Sequence, residues 1–265
     1  MRRLALDALA LRHRIRLLVW LRRLAGVAAV LAVAEWFWRG HAAWGSVVAV
    51  LACLAAAAAL QAWTLSLRRQ FVREARLPGF LLAKLREAHP HLSAREADLV
   101  LHGLRQFFLA HLRSGFRFVA MPSKVVDDAW HAFILHTRGY ESWCHTAFGK
   151  LLHHTPAEVL GRDPKRNDGL RRTWYWACKE ESIDPRTPAR LPLLFALDKK
   201  LGIAGGFSYV PDCRDIDRQS GSGTQCGTSF GEAGGFASDG SADSFGGCES
   251  AADGGGDSGG GCGGD

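Results

Sequence analysis

A long uncharged segment constrains this chain more than any other feature. Residues 42–67 contain no charged side chain, and roughly 20 apolar residues in a helix already cross the hydrocarbon core of a bilayer. Trp44 and Trp63 lie near its ends, where indole side chains favour the membrane interface. The segment therefore predicts a transmembrane helix. A fully buried helix of a soluble protein is the alternative, which the length of the segment makes less favoured.

A second apolar segment precedes the first and predicts a helical hairpin. Only 15 residues, 24–38, lie between Arg23 and Arg39, and they carry one charge at Glu35, so this segment is short for a membrane span. Arg22 and Arg23 can extend their side chains to the interface, which lets the preceding apolar residues contribute to the span. We therefore predict two transmembrane helices, at about residues 18–38 and 42–66, joined by a short turn around residues 39–41.

The formal net charge of +7 is distributed unevenly. Arginines are concentrated beside the two apolar segments, as expected at a membrane face, and not on a soluble domain that could bind nucleic acid. We expect an integral membrane protein with no nucleic-acid partner. By the positive-inside rule both termini lie in the cytoplasm. A signal peptide cleaved after Ala34 is less favoured, because the stretch before the apolar segment is long and a second span follows.

The remaining sequence divides into a helical domain and a low-complexity tail. Residues 77–211 show apolar residues at helical spacing and no β–α alternation, so we predict an all-α (α-rich) fold after the anchor of residues 1–76. Helix start or stop signals occur at Ser93 with Glu96, Ser123, Thr155 and Gly202.

The tail, residues 212–265, is rich in glycine, serine and acidic residues. Such a composition cannot bury enough apolar surface to fold, so we predict a disordered tail. Phe207, Tyr209 and Val210 are then the last residues to dock on the domain. The seven cysteines form no close pairs, and in a reducing compartment this count argues against a disulfide framework.

Residues 124–148 predict one helix with an Asp–His pair at the edge of its buried face. At about 100° per residue, the core-facing residues are Val126, Trp130, Phe133, Thr137, Tyr140, Cys144 and Phe148. Asp127 and His131 lie one turn apart beside this stripe. A carboxylate-oriented imidazole suits a general base or a metal ligand. A polar pair that only fixes packing is the alternative, and for an isolated pair it is the favoured one.

Further histidines make a metal site the sharper hypothesis. His153 and His154 lie in the connection after the helix, and one of them could fold back to join Asp127 and His131 as a third zinc ligand. His136 is another candidate, although it lies on the far side of the helix. The spacing matches no recognised metal motif. No cofactor is evident, and zinc is the divalent ion that this set would accept.

Part of the chain resembles the glycine-rich domain-containing protein family. The resemblance rests on Val126-Asp127-x-x-Trp130-His131 followed by Leu135-His136, and on the stretches FGKLLHHTP and RLPLLFALDKKLG. It extends over about residues 85–265 and excludes the membrane hairpin. The motif residues of this helix are Trp130, Arg138, Tyr140 and Cys144.

The resemblance implies a bacterial membrane-anchored member of that family, placed in the inner membrane, but no particular reaction. Phe133 stands where the plant-type motif has a further histidine, which removes one ligand that a metal site in the family could use. Nothing in the chain is similar to the RNA-recognition module of plant members.

Two functions of different classes follow from these features. The leading prediction is a membrane-anchored cytoplasmic helical domain that acts as an interaction or scaffolding module for a protein partner. The alternative is a metal-dependent, hydrolase-like enzyme. Its site would lie on the helix of residues 124–148, with Asp127 and His131 as the candidate catalytic residues.

Overall fold

The computed structural model describes residues 2–39, 44–154, 164–215 and 224–232. Its helices are α1 (Arg2–Arg39), α2 (Trp44–Glu74), α3 (Phe80–Ala88), α4 (Ala94–Arg113), α5 (Lys124–Leu135), α6 (Thr137–Ala147), α7 (Pro164–Glu180), α8 (Leu193–Lys200) and α9 (Ser229–Glu232). Two short strands, β1 (Tyr209–Val210) and β2 (Gln225–Cys226), pair in parallel. The predicted all-α (α-rich) fold is confirmed.

Helices α1 and α2 pack along each other as an N-terminal pair. Within them, Ala10–Arg39 and Trp44–Glu74 are long and apolar enough to cross a membrane. Large apolar side chains on their surface are exposed, among them Leu17, Trp20, Leu24, Val30, Trp38, Trp44, Leu51 and Trp63. An apolar surface of this extent fits membrane association. Most of the predicted turn lies in residues 40–43, outside the described residues.

The C-terminal end of α2 belongs to the core of the folded domain. Leu67, Phe71 and Val72 are buried there, and the ring of Phe71 packs against Trp143 of α6 at 5.9 Å between centroids. The helix is continuous from Trp44 to Glu74. The N-terminal helix pair and the folded domain are therefore joined by one continuous helix.

Local capping signals place three of the helix ends as predicted. Ser93 and Glu96 form the reciprocal capping box of α4, with bonds of 2.8 and 3.3 Å. Ser123 caps α5 through the backbone N–H of Val126. Gly202 follows the end of α8 with a φ of +61°, a conformation that glycine adopts without strain. The start predicted at Thr155 lies outside the described residues.

The prediction of a single helix over residues 124–148 is wrong, because the chain breaks at His136. This residue has φ −84° and ψ 60°, and it separates α5 from α6. Its imidazole stacks on Phe80 at 4.9 Å and lies over Gly139, where a Cβ atom would come within 2.0 Å of the ring. The absence of a side chain at Gly139 permits the break. Thr137, predicted to face the core, is exposed.

A buried carboxylate fixes the start of α5. Asp198 of α8 is only 3% exposed. It accepts hydrogen bonds from the Ser123 hydroxyl at 2.7 Å and from the backbone N–H groups of Lys124, Val125 and Phe207 at 2.7, 3.2 and 2.9 Å. A negative charge is favourable at the positive end of a helix dipole. This network fixes the first residue of α5 and therefore the direction in which each side chain of the helix points.

A described piece of the tail docks on the domain. Cys213 forms a disulfide with Cys226, and the buried Phe230 packs against Trp174 and Phe195, with ring centroids 5.6 and 6.0 Å apart. The expectation of no disulfide is therefore wrong. So is the expectation that docking ends at Val210, since an aromatic cluster on α7 and α8 receives Phe230. Residues 216–223 and 233–265 lie outside the described residues.

Candidate functional site

Asp127 lies between two imidazoles on the surface of the domain. Its Oδ1 is 3.0 Å from Nε2 of His154, and its Oδ2 is 3.6 Å from Nδ1 of His131. The two imidazole rings are 4.4 Å apart between centroids. We refer to Asp127, His131 and His154 as the Asp127 cluster. It joins the pair predicted on the helix to a residue from a separate segment.

A short hydrogen-bonded chain holds the segment that carries His154. The indole of Trp130 donates to the Tyr140 hydroxyl at 3.1 Å, and this hydroxyl donates to the Leu152 carbonyl at 2.6 Å. Burial raises the pKa of Tyr140, so its hydroxyl remains protonated and able to donate. His154 then packs edge-on against Trp130 at 4.5 Å. Two of the motif residues therefore position the third member of the cluster.

The other two motif residues lie apart from the Asp127 cluster. Cys144 is fully buried, and burial raises the pKa of its thiol. A neutral, inaccessible thiol serves packing and is a poor nucleophile. Arg138 is exposed on α6.

The remaining histidine candidates do not join the cluster. His153 is exposed although it directly precedes His154, and His136 lies over Gly139 at the break between α5 and α6. Within the described residues, one group of three His, Cys, Asp or Glu side chains has donor atoms all within 4.8 Å of one another, and it is the Asp127 cluster.

The donor set of the Asp127 cluster suits a divalent transition metal. Zinc binds imidazole nitrogen and carboxylate oxygen at about 2.0–2.2 Å, which places neighbouring ligand atoms of a tetrahedral site about 3.3 Å apart. The present separations need a movement of roughly 1 Å for that geometry. His131 has half of its side-chain surface exposed, so solvent-facing space is available for such a movement. The same exposure leaves one side of the site open to solvent.

Sequence reasoning missed a second Asp–His pair beside the cluster. Asp128 follows Asp127 directly and lies 2.9 Å from Nε2 of His89, in the connection between α3 and α4. The signal available was the Asp127-Asp128 doublet near the start of α5. Two adjacent residues on a helix point about 100° apart, so one carboxylate faces α3 and the other faces the segment of His154.

His111 was also missed, and it is a structural imidazole. It is 5% exposed near the end of α4, its Nδ1 lies 3.1 Å from the Arg117 carbonyl, and its ring packs edge-on against Phe116 and Phe148. Burial lowers the pKa of His111 to about 4. It therefore stays neutral in the folded protein at neutral pH.

A comparison with protein families corrects the resemblance drawn from the sequence. A family model described as UCP032817-like matches residues 67–230, which is more than half of the chain. The assignment to the glycine-rich domain-containing family is wrong, because the match is to this different family. No curated protein and no solved structure matches the chain. The matched region runs from the buried end of α2 to the docked Phe230 and contains the whole Asp127 cluster.

Proposed function

The chain belongs to the UCP032817-like family, and within its matched region we propose that the Asp127 cluster is a binding site for a divalent metal ion such as zinc. One observation carries this proposal: His154 lies 27 residues from Asp127 in the sequence and still places its Nε2 3.0 Å from the carboxylate. Two imidazoles and one carboxylate thereby converge from two separate segments.

An ordinary structural ion pair explains this arrangement less well. A single imidazole would satisfy the partly exposed Asp127, whereas two imidazole rings lie 4.4 Å apart around it. A cation placed between the three groups would use the lone pairs of both rings and the negative charge of the carboxylate. The buried Trp130–Tyr140 pair supports one of these ligands from behind, as outer contacts do in metal sites.

Hydrolysis is the reaction class that this site favours. Three protein ligands leave a coordination position for water, which is the arrangement of catalytic zinc sites. The half-exposed His131 marks the side from which a substrate would approach. The interaction or scaffolding function stays a prediction, for which a protein partner is still required.

We further propose that α1 and α2 form a transmembrane hairpin in a bacterial inner membrane, with both termini and the folded domain in the cytoplasm. The arginines beside the domain end of the hairpin support this orientation. The Cys213–Cys226 disulfide points the other way, since disulfides persist in oxidising compartments. We give the arginines more weight because they directly flank the two spans.

Labelling in intact cells tests the orientation. An Arg138→Cys variant places a thiol on the exposed face of α6. A membrane-impermeant maleimide should label it only after the cells are lysed, with the wild-type chain as background. Labelling in intact cells would place the domain outside the cytoplasm.

Metal analysis tests the site itself. The purified full chain, stripped with chelator and reloaded with zinc, should retain one equivalent. His131→Ala and His154→Ala should each weaken zinc binding by at least about a hundredfold, since even loss of an outer contact costs tenfold or more. His153→Ala is the matched control, because it removes the exposed neighbouring imidazole and should bind as the wild type does. No zinc on the wild type, or equal loss in the control, would overturn the proposal.

A further inference from the structure

A basic cavity lies between α1, α2 and α6. It has a volume of about 440 Å³. Its lining includes Arg12, Arg16 and Trp20 of α1, Arg68 of α2, and Ser142, His145 and Thr146 of α6. This size lies in the range of cavities that hold small ligands. Three guanidinium groups around one space suit an anion.

The guanidinium of Arg68 is held in place at this cavity. It donates to the Phe148 carbonyl at 2.9 Å and lies over Gly149, where a Cβ atom would come within 2.6 Å of Nη2. Its Nε is buried and makes no hydrogen bond within the described chain. Arg68 is therefore positioned by backbone and by a glycine, and its charge is not neutralised by the bond it makes.

The cavity lacks compensating negative charge in the part of the chain that the structure describes. No carboxylate there forms an ion pair with Arg12, Arg16 or Arg68. The acidic side chain nearest in sequence to its α6 wall, Glu141, lies 3.8 Å from His145 and is itself mostly exposed. Arg12 lies over the ring of Phe71 at 5.7 Å, which holds it at the cavity without neutralising it. A bound anion would supply the negative charge that these arginines lack.

The cavity also lies at the level where the apolar surface of the hairpin begins. Exposed large apolar side chains start at Leu17 and Trp20 on α1 and end at Trp63 on α2, and tryptophans mark membrane interfaces. Arg16 is one turn from Trp20. Arg68 is five residues beyond Trp63, or about 7.5 Å along the helix axis. Both distances fall within the headgroup layer of a bilayer.

We propose that this cavity binds the phosphate of an anionic phospholipid headgroup. Arg16 and Arg68 donate to the phosphate oxygens, for which the planar guanidinium is well suited. Arg12 adds charge, and the acyl chains continue along the exposed apolar surface near Leu17. The site rests on the membrane insertion proposed above and is independent of the metal. It would fix both the depth and the rotation of the domain at the membrane.

Native mass spectrometry of the full chain, released from detergent with equal amounts of phosphatidylglycerol and phosphatidylcholine, tests this site. The wild type should retain the anionic lipid preferentially. Arg16→Gln and Arg68→Gln should each reduce that preference about fivefold, as expected for one arginine near a membrane surface. The matched controls Arg14→Gln and Arg69→Gln remove equal charge from exposed positions on the same helices and should keep it. Equal retention of both lipids by the wild type, or equal losses in controls and cavity variants, would overturn the site.

Two further arms separate the remaining sources of signal. Sodium phosphate that displaces the lipid as well as soluble glycerophosphoglycerol does would show a site for free phosphate and would overturn the lipid assignment. His154→Ala should keep the lipid preference, which separates this site from the zinc proposal. If carbonate extracts the chain from membranes without detergent, the insertion itself is wrong and the lipid site fails with it.

Discussion

Two carboxylates near α5 are used in opposite ways. Asp198 is 3% exposed, and its two oxygens accept from one hydroxyl and three backbone N–H groups. Asp127 has 30% of its side chain exposed and has two imidazoles as its partners. Backbone donors cannot leave, so Asp198 has a fixed structural role. An imidazole can give up its hydrogen bond to a carboxylate and bind a metal ion instead. The partners of Asp127 are therefore able to act as metal ligands.

Asp198→Asn should have the largest effect on stability and would sharpen the comparison most. The amide removes the charge and turns an N–H group towards donors that need an acceptor. We expect a loss of about 4 kcal/mol in the free energy of unfolding. Urea unfolding of the full chain in detergent, followed by tryptophan fluorescence, measures it. A loss below about 1 kcal/mol would show that the buried network does not hold α5.

The histidines also divide into structural residues and residues of the Asp127 cluster. The structural His111 gives the second largest expected effect on stability. Its pKa is lowered to about 4 in the folded chain, while an unfolded histidine titrates near 6.5. Between these values the unfolded state binds the proton and the folded state does not. The stability that neutral His111 contributes is therefore present above pH ~6.5 and is lost as the pH falls towards ~4, by roughly 2–3 kcal/mol.

His111→Asn isolates this effect because the amide can still donate to the Arg117 carbonyl. The variant should lose less stability between pH 7 and pH 4 than the wild type does, by the stated difference. Equal pH dependence in the two proteins would contradict the prediction. An NMR titration of the wild type provides a second readout, in which the His111 ring should keep its neutral shift down to about pH 5.

Tyr140→Phe tests whether the hydrogen bonds from Trp130 through Tyr140 to Leu152 support the Asp127 cluster. The change leaves the Trp130 indole and the Leu152 carbonyl without their partner, which should cost about 1–2 kcal/mol in unfolding free energy. It should also weaken zinc binding about tenfold, as loss of a group that supports a metal ligand does. Tyr175→Phe, at a buried tyrosine of α7, is the matched control and should leave zinc affinity unchanged. Unchanged affinity in Tyr140→Phe would separate this chain of hydrogen bonds from the cluster.

Asp127→Asn should have the smallest effect on stability and would break the comparison if it did not. In the metal-free chain, Asp127 forms a partly exposed pair with imidazoles, and such pairs contribute less than about 1 kcal/mol. Zinc affinity should nevertheless fall by at least about tenfold, since a neutral amide is a weaker ligand. A stability loss as large as that of Asp198→Asn would make Asp127 a structural residue, and the metal proposal would lose its basis.

The sequence reveals the local parts of this arrangement and hides the distant ones. Ser93 with Glu96, and Asp127 with His131, lie within one helical turn, so their spacing is sufficient to predict them. Asp198 lies more than 70 residues from the helix start that it caps, and no spacing rule connects them.

The choice between His153 and His154 is equally non-local. Which of the two faces Asp127 depends on the Tyr140 hydroxyl that fixes the Leu152 carbonyl, a contact made only after folding. The break at His136 depends on its side chain lying over Gly139, whereas the apolar periodicity runs through the break without interruption. Tertiary contacts decided both points.

In the proposed transmembrane hairpin, the uninterrupted α2 sets an angular relation between the bilayer and the Asp127 cluster. A helix advances about 1.5 Å and turns about 100° with each residue. Inserting one residue between Trp63 and Leu67 would therefore swing the whole domain by more than a quarter turn about the helix axis. The face that presents Asp127 would then point in a different direction over the membrane surface. The direction in which the site faces therefore depends on the number of residues in α2.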